Sequence, residues 1–340
     1  MPSEIQPVLS ICIPTYHRAA LLGDALRAVA VQWAEDLTDE QRERIEIVIS
    51  DNHSPDETAA SVSTIKEQYP SLRLSYFCQP ENKGPDANIL SAARMASGDY
   101  LYLLSDDDIL LPGALAEMLA LIQTHPELDA FCLNTRPFLQ YPSEETPTDF
   151  AVTEDHTIAG RDACLQFLGT RITFLSLCLM RRERLLLETY DAFIGSRFMH
   201  SYLYLDILAG GRGMLVTRRA FLAVRRENTG GYNFFEVFVS HFADLMRYAR
   251  RQGYAETAVK SVLSRHLTRY IAPFVAMFKL RGAYGTLQPD YRDGARRLLA
   301  EYGPRPFLVF GLLPLMFAPR LLTRGLQSVA RALRSVGAVR

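Results

Sequence analysis

Three consecutive carboxylates, Asp106, Asp107 and Asp108, follow the apolar run YLYLL at residues 100–104. Set together at a strand end, they repel one another unless a cation lies among them. Hard oxygen ligands of this kind suit Mg²⁺ or Mn²⁺, and magnesium takes one or two protein carboxylates and completes its shell with phosphate and water. The chemistry on offer is a divalent ion holding a diphosphate. The alternative is a solvated acidic turn capping the next helix, because carboxylates favour helix N-termini. Asp51 ends a second strand-like run, IEIVI at residues 45–49. In nucleotide-binding α/β folds an acidic residue there accepts hydrogen bonds from a ribose or base; closing a strand into a turn is the plainer use. Pro14, Thr15, Tyr16, His17 and Arg18 bring a rigid ring, a hydroxyl, an aromatic face and a cation to the end of a first strand. A base could stack on Tyr16 and Arg18 could meet phosphate, although an ordinary strand-to-helix loop has the same composition.

Such residues need a scaffold that gathers strand ends. Residues 8–13 read as a strand, followed by a helix with Leu22, Leu26, Val29 and Trp33 at spacings of three and four. Ser54-Pro55-Asp56-Glu57 has the spacing of a capping box with Pro at the first helical position, so a helix to about residue 69 is expected. Strands at 72–77 and 130–133 and helices at 86–96 and 112–123 continue the alternation. The pattern predicts an α/β fold with helices on both faces of a parallel sheet. Ligands in such sheets sit beyond the carboxyl ends of the strands, so the polar residues after Ile13, Ile49 and Leu104 should converge.

Further on, residues 176–180 read as a strand and 198–209 as a helix stopped by Gly210-Gly211. Residues 214–217 and 221–224 read as one or two strands. Arg225 and Arg226 follow them and could meet diphosphate or acceptor phosphate. From about 232 to 280 the pattern is mostly helical. There the aromatics Tyr232, Phe234, Phe235, Phe238 and Phe242 are expected to pack a core. His17, His53, His125, His156, His241 and His266 show no metal-binding spacing and are read as structural or exposed.

Composition narrows the function classes. Of 340 residues, 37 are basic and 38 acidic, and the net charge of −1 gives no broad electrostatic case for nucleic acid. Hydrophobic residues at 48% rule out disorder for most of the chain. The five cysteines are scattered and form no CxxC pair, which excludes zinc ribbons and disulfide scaffolds and fits a reducing compartment. Neither a secretory leader nor a membrane-spanning helix is expected. The end of the chain differs in kind: no acidic residue follows Glu301. On a helical wheel Arg320, Arg324, Arg331 and Arg334 fall in a sector of about 80°, opposite Leu322, Leu326, Val329, Leu333 and Val336. That is a basic amphipathic helix of the kind that lies in a membrane interface.

The ordered segments PTYHR, ISDNHSPDET, ENKGPDAN and SGDYLYLLSDDDILLPGAL together resemble the inverting glycosyltransferases of family 2. The form LLSDDDILLP is most similar to members that build O-antigen or capsule, such as abequosyltransferases. The resemblance implies a GT-A fold, a nucleotide-sugar-binding sheet of mixed, mainly parallel strands followed by a helical C-terminal region. With the helical pattern and the basic end of the chain, the division expected is a GT-A body over residues 1–230, a helical region over 231–300 and a basic, membrane-associating tail over 301–340. Pro14, Thr15, Tyr16, Arg18, Asp51, Lys83 and Asp106 would bind the nucleotide sugar, and Asp107 and Asp108 would hold Mg²⁺ or Mn²⁺. Relatives usually carry an acid where Ser105 stands, and Glu-Asp where Met199-His200 stand. His200 would therefore replace the carboxylate general base, with Asp206 in reserve; a histidine suits the task because its pKa lies near operating pH.

The expectation is thus an inverting transferase moving a sugar from a nucleoside-diphosphate sugar to a saccharide hydroxyl. Its acceptor would be undecaprenyl-diphosphate-linked, met at the cytoplasmic face of the cell membrane. Two alternatives belong to other classes. One is a metal-dependent phosphohydrolase using the aspartate cluster. The other is a non-catalytic, membrane-associated nucleotide-sugar-binding protein.

Overall fold

A computed structural model of the chain describes residues 6–138, 142, 146–210, 212–225, 231–281 and 289–319. Arg226 and the basic segment 320–340 lie outside the described residues. The chain divides into two compact units, Met1–Arg226 with Ala249–Ala258, and Glu227–Tyr248 with Val259–Arg340.

Among the described residues the first unit is built on nine strands: β1 (Leu9–Thr15), β2 (Ile45–Asp51), β3 (Leu74–Cys78), β4 (Tyr100–Leu103), β5 (Ile109–Leu110), β6 (Ala130–Phe138), β7 (His156–Ile158), β8 (Cys178–Arg181) and β9 (Met214–Arg225). They form one sheet in the order β3-β2-β1-β4-β8-β6-β9-β5, with β7 also on β9. The pairs from β3 to β4 are parallel, whereas β8 runs antiparallel to both β4 and β6. The sheet is therefore mixed, and its longest ladders, β1–β2 and β6–β9, are parallel. The two short runs read at 214–217 and 221–224 are one strand, whose register shifts against β6 between Cys132 and Thr135.

Its helices are α1 (Ala19–Glu35), α2 (Asp39–Glu43), α3 (Thr58–Gln68), α4 (Pro85–Met95), α5 (Ala114–Thr124), α6 (Arg161–Leu168) and α7 (Met199–Ala209). Alternation on the strands decides which face each helix covers. Leu9, Ile11 and Ile13 of β1 and Ile45, Ile47 and Ile49 of β2 share a core with Leu22, Leu26 and Val29 of α1 and Met118 of α5. The intervening Ser50 points the other way, where its Oγ donates to Asn88 Oδ1 of α4 at 2.7 Å.

One expected cap does not form. The helix after residue 54 begins at Thr58, and its N-cap Glu57 makes no side-chain cap bond. Ser54, which would have capped the box, and its neighbour Asp56 tie loops together instead. Ser54 Oγ accepts from His17 N, and Asp56 Oδ2 accepts from Ala19 N at 3.0 Å. The capping box is instead at α2, between Thr38 and Gln41.

In the second unit the helical segments are α8 (Phe242–Arg251), α9 (Glu256–His266), α10 (Ala272–Arg281), α11 (Tyr291–Tyr302) and α12 (Leu313–Phe317). The first two run across the division between the units. Wide π-type turns adjoin them at Glu236–His241, Leu267–Ile271 and Leu308–Leu312. Phe234 and Phe235, expected in a core, are buried there with Leu267, Phe278, Leu298 and Leu312. His266 is structural: its Nε2 donates to the Phe238 carbonyl at 2.6 Å and its ring stacks on Phe242 at 3.8 Å.

Candidate active site

Register brings the first two site segments level. In the parallel ladder Thr15 lies opposite Asp51, and Cys12 of β1 lies opposite Leu103 of β4. The chain leaving β4 therefore carries the three aspartates past the end of β1. Thr15 Oγ1 donates to Asp106 Oδ2 at 2.8 Å. Arg18 Nη1 sits between two carboxylates, 2.9 Å from Asp106 Oδ1 and 3.3 Å from Asp107 Oδ2. Ser105 Oγ donates to Asp107 Oδ1 at 2.6 Å. Asp108 is held elsewhere: Ser176 Oγ donates to its Oδ2 at 2.7 Å, and the Arg225 backbone N–H also bonds it. Asp106 and Asp107 thus both face the Arg18 guanidinium.

Burial pushes the Asp106 carboxyl above its ordinary range, with Arg18 opposing and Asp107 reinforcing the rise. Asp108 is raised well above that range, first by burial and then by Asp107. Both shifts mark a place where added positive charge is stabilising. Among the described residues no three His, Cys, Asp or Glu side chains converge as a closed metal cage. Two hard carboxylates facing one cation do fit a divalent ion that fills the rest of its shell with phosphate and water.

Around this pair, Pro14 stands in β1 opposite Ser50, and Tyr16 is 43% exposed. Asp51 is buried, and both its oxygens are engaged: Oδ1 accepts from Ser54 N at 2.9 Å and Oδ2 from Tyr76 OH at 2.6 Å. Lys83 is exposed at its side chain, while its backbone N–H donates to Asn52 Oδ1 at 2.9 Å. Arg225 closes β9 beside the acidic turn, because Ile109 pairs with Ala223. Its guanidinium lies 4.8 Å over the Phe138 ring, and its Nε is buried with no hydrogen-bond partner. Arg226 lies outside the described residues.

The helix α7 supplies the other candidates. His200, in its first turn, is 5% exposed. Its Nε2 meets the Thr173 carbonyl at 2.9 Å, so Nε2 carries the proton and Nδ1 the lone pair. Nδ1 is buried with no partner, and burial pushes the imidazole pKa down to about 4, partly opposed by the Thr173 bond. Asp206 accepts from Tyr190 OH at 2.6 Å through Oδ2.

Several positioning residues carried no signal in the sequence. Ser201 and Tyr204, beside His200 on α7, donate to the carbonyls of Ile172 and Leu175. With the His200–Thr173 bond, these link α7 to the short segment whose Ser176 holds both Asp108 and the Ser105 N–H. Asp86 is 2% exposed, and its carboxylate accepts from the backbone N–H groups of Gly195, Arg197 and Met199 at 2.9, 2.7 and 3.1 Å. It thereby fixes the entry of α7 from the start of α4. Asn88 reaches from α4 to the Thr15 carbonyl at 3.1 Å. Asp86 and Asn88 were legible only as helix residues. Three non-glycine residues have positive φ among those described: His17 at 54°, His53 at 65° and Arg197 at 65°. All three lie in loops adjoining these groups, where strained backbone is held by its surroundings.

Comparison with known proteins follows the same residues. The glycosyl transferase family 2 model matches residues 10–185. The chain is 34% identical over 114 residues to a GalNAc(5)-diNAcBac-PP-undecaprenol beta-1,3-glucosyltransferase of Campylobacter jejuni, covering 33% of this chain and 34% of that one. It is 27% identical over 214 residues to abequosyltransferase RfbV of Salmonella typhimurium, covering 59% and 61%. It thus spans under two thirds of the length of either relative. Among solved structures it is similar to S. aureus TarS 1-349 in complex with UDP-GlcNAc, with TM-score 0.58, 18% identity, and 77% and 72% coverage. It is also similar to the mannosyltransferase PcManGT from Pyrobaculum calidifontis in complex with GDP-Man and Mn²⁺, with TM-score 0.52, 16% identity, and 96% and 88% coverage. With the family model covering over half of the chain and the sheet matching these structures, the protein belongs to glycosyl transferase family 2 and has the GT-A fold.

Proposed function

We propose that this chain is a metal-dependent inverting transferase that moves a sugar from a nucleoside-diphosphate sugar to a hydroxyl of a lipid-linked saccharide, in cell-surface polysaccharide synthesis. The observation that carries the reading is the Arg18 guanidinium clasped between Asp106 and Asp107 at the shared end of β1 and β4. It marks a seat built for positive charge, where a leaving diphosphate needs it. The lipid-linked acceptor is supported by the Campylobacter relative, whose own substrate is an undecaprenol-linked saccharide.

In this reading the exposed Tyr16 takes the base, with Asp51 and Lys83 beside the nucleotide. Asp107 and Asp106, with Asp108 behind them, would hold Mg²⁺ or Mn²⁺, which supplies Lewis-acid neutralisation of the diphosphate. Arg18 and Arg225 bring fixed positive charge to the phosphate oxygens. The acceptor oxygen attacks the anomeric carbon from the face opposite the diphosphate, and the bond from that carbon to the phosphate oxygen breaks. The acceptor proton passes to His200 Nδ1, which is neutral and unpartnered. Its pKa of about 4 lies in the range of the carboxylate it replaces. Asp206 is the reserve base.

The body over residues 1–230 would perform this step, with the helical region 231–300 and tail 301–340 beyond it. The tail would lie on an anionic inner leaflet at the cytoplasmic face through Arg320, Arg324, Arg331 and Arg334. The described residues contain no helix long and apolar enough to cross a membrane.

A screen of nucleotide sugars with Mn²⁺ tests the proposal. Expected are metal-dependent donor hydrolysis for one donor and transfer with an inverted anomeric centre when a saccharide acceptor is added. Hydrolysis of generic phosphate esters without donor dependence would overturn it in favour of a phosphohydrolase. Metal-dependent nucleotide binding without turnover of any donor would overturn it in favour of a binding protein.

A further inference from the structure

Four of the eight large hydrophobic side chains that stand exposed among the described residues fall between 299 and 317: Leu299, Phe307, Phe310 and Phe317. Phe310 is 82% exposed, Phe317 56% and Phe307 46%. The residues between them are not loosely packed. Leu308, Leu312 and Met316, one turn apart, are buried in the core of the second unit, so this segment is anchored along one side and presents its phenylalanines along the other. Single exposed apolar residues need no explanation, but three phenyl rings within eleven residues form a patch of the kind that marks an interaction surface.

The surrounding chemistry selects the partner. From Pro304 to Pro319 the only charged residue is Arg305, and after Glu301 the chain adds Arg320, Arg324, Arg331, Arg334 and Arg340 with no acid. A second copy of this chain would bring the same cations against them and be repelled; an anionic bilayer attracts them. The apolar run 307–318 is too short to span, which leaves the interface plane as its place in a membrane.

We propose that Phe307, Phe310 and Phe317 are an insertion wedge that enters the acyl boundary of an anionic lipid surface, the arginines that follow in the sequence adding attraction to the headgroups. This deepens the membrane reading above and rests on it for the presence of a lipid-borne acceptor. Apolar insertion and headgroup attraction then act as two anchors, the combination that stable peripheral binding requires.

The experiment uses the full chain and vesicles of phosphatidylcholine with and without phosphatidylglycerol. Trp33 is the only tryptophan and is buried, so a Phe310→Trp variant carries an indole that reports on the patch. Its emission is expected to shift to the blue and be quenched by brominated lipids on phosphatidylglycerol vesicles. The triple variant Phe307→Ser, Phe310→Ser, Phe317→Ser is expected to lower vesicle partitioning at least about tenfold. Donor turnover on a water-soluble acceptor should stay unchanged. An unquenched indole together with wild-type partitioning of the triple variant would overturn the wedge and leave the arginines as the anchor. Absence of vesicle binding with metal-dependent donor turnover intact would overturn the wedge while the transferase reading stands. Insertion without turnover of any donor would sink the transferase reading alone. A wild-type dimer that the triple variant turns into a monomer would name a second copy as the occupant and overturn the proposal.

Discussion

The acidic turn after β4 and the first turn of α7 lie in the same unit and use polar groups in opposite ways. At the turn, charge answers charge: Arg18 is shared by Asp106 and Asp107, and Asp108 is bonded by Ser176 and a backbone N–H. On α7 the polar group is a neutral imidazole, satisfied on one side by a carbonyl and bare on the other. Burial acts on both, and in each case it disfavours the ionised form. It raises the carboxyls and lowers the imidazole. The consequence differs. A buried carboxylate cluster calls for a cation, whereas a buried neutral imidazole is left as a proton acceptor. A displacement that builds negative charge on one reactant and releases a proton from the other needs that division.

The largest effect expected from breaking the contrast is at Asp107. Asp107→Asn keeps the shape and removes the charge facing Arg18; metal-dependent donor turnover should fall about 10³-fold, measured as nucleoside diphosphate release. Wild-type rates would remove the cation seat from the mechanism. His200→Ala comes next: transfer should fall about 10²-fold with donor affinity unchanged. Unchanged transfer would pass the role to Asp206.

The wild-type pH profile sharpens the same point. A base must be deprotonated, and with its pKa near 4 transfer should be level through neutral pH and fall only as pH drops towards about 4. A loss beginning near 6.5 that disappears in His200→Ala would mean that burial does not act on the imidazole in the working enzyme, since the raised Asp106 and Asp108 carboxyls stay in that variant. Asp86→Ala would leave three N–H groups at the entry of α7 without their carboxylate, that of Met199 buried, and should cost roughly 2 kcal/mol in urea unfolding. Transfer should decline more than donor binding. Smallest is Tyr76→Phe, which removes one hydrogen bond to Asp51 and should cost about 1 kcal/mol.

Much of the scaffold was legible because short-range patterns generate it. Alternating Leu9, Ile11 and Ile13 make a strand with one apolar face, and Leu22, Leu26 and Val29 make a helix with a matching stripe. The mistaken capping box at Ser54 shows the limit. The spacing was right, but the backbone of His17, distant in sequence, took the Ser54 oxygen instead. The same limit hid Asp86 and Ser176, whose partners lie between 68 and 113 residues away.

Local residue order determined that acids would end one strand and a Pro-Thr-Tyr-His-Arg turn another, because period and turn chemistry act within a few residues. Only the tertiary structure decided that Arg18 lies between Asp106 and Asp107, that Asp108 is bound by a serine from another segment, and that the imidazole of His200 is kept neutral. Those outcomes depend on register between strands and on exclusion of water, and both exist only once the chain has closed on itself.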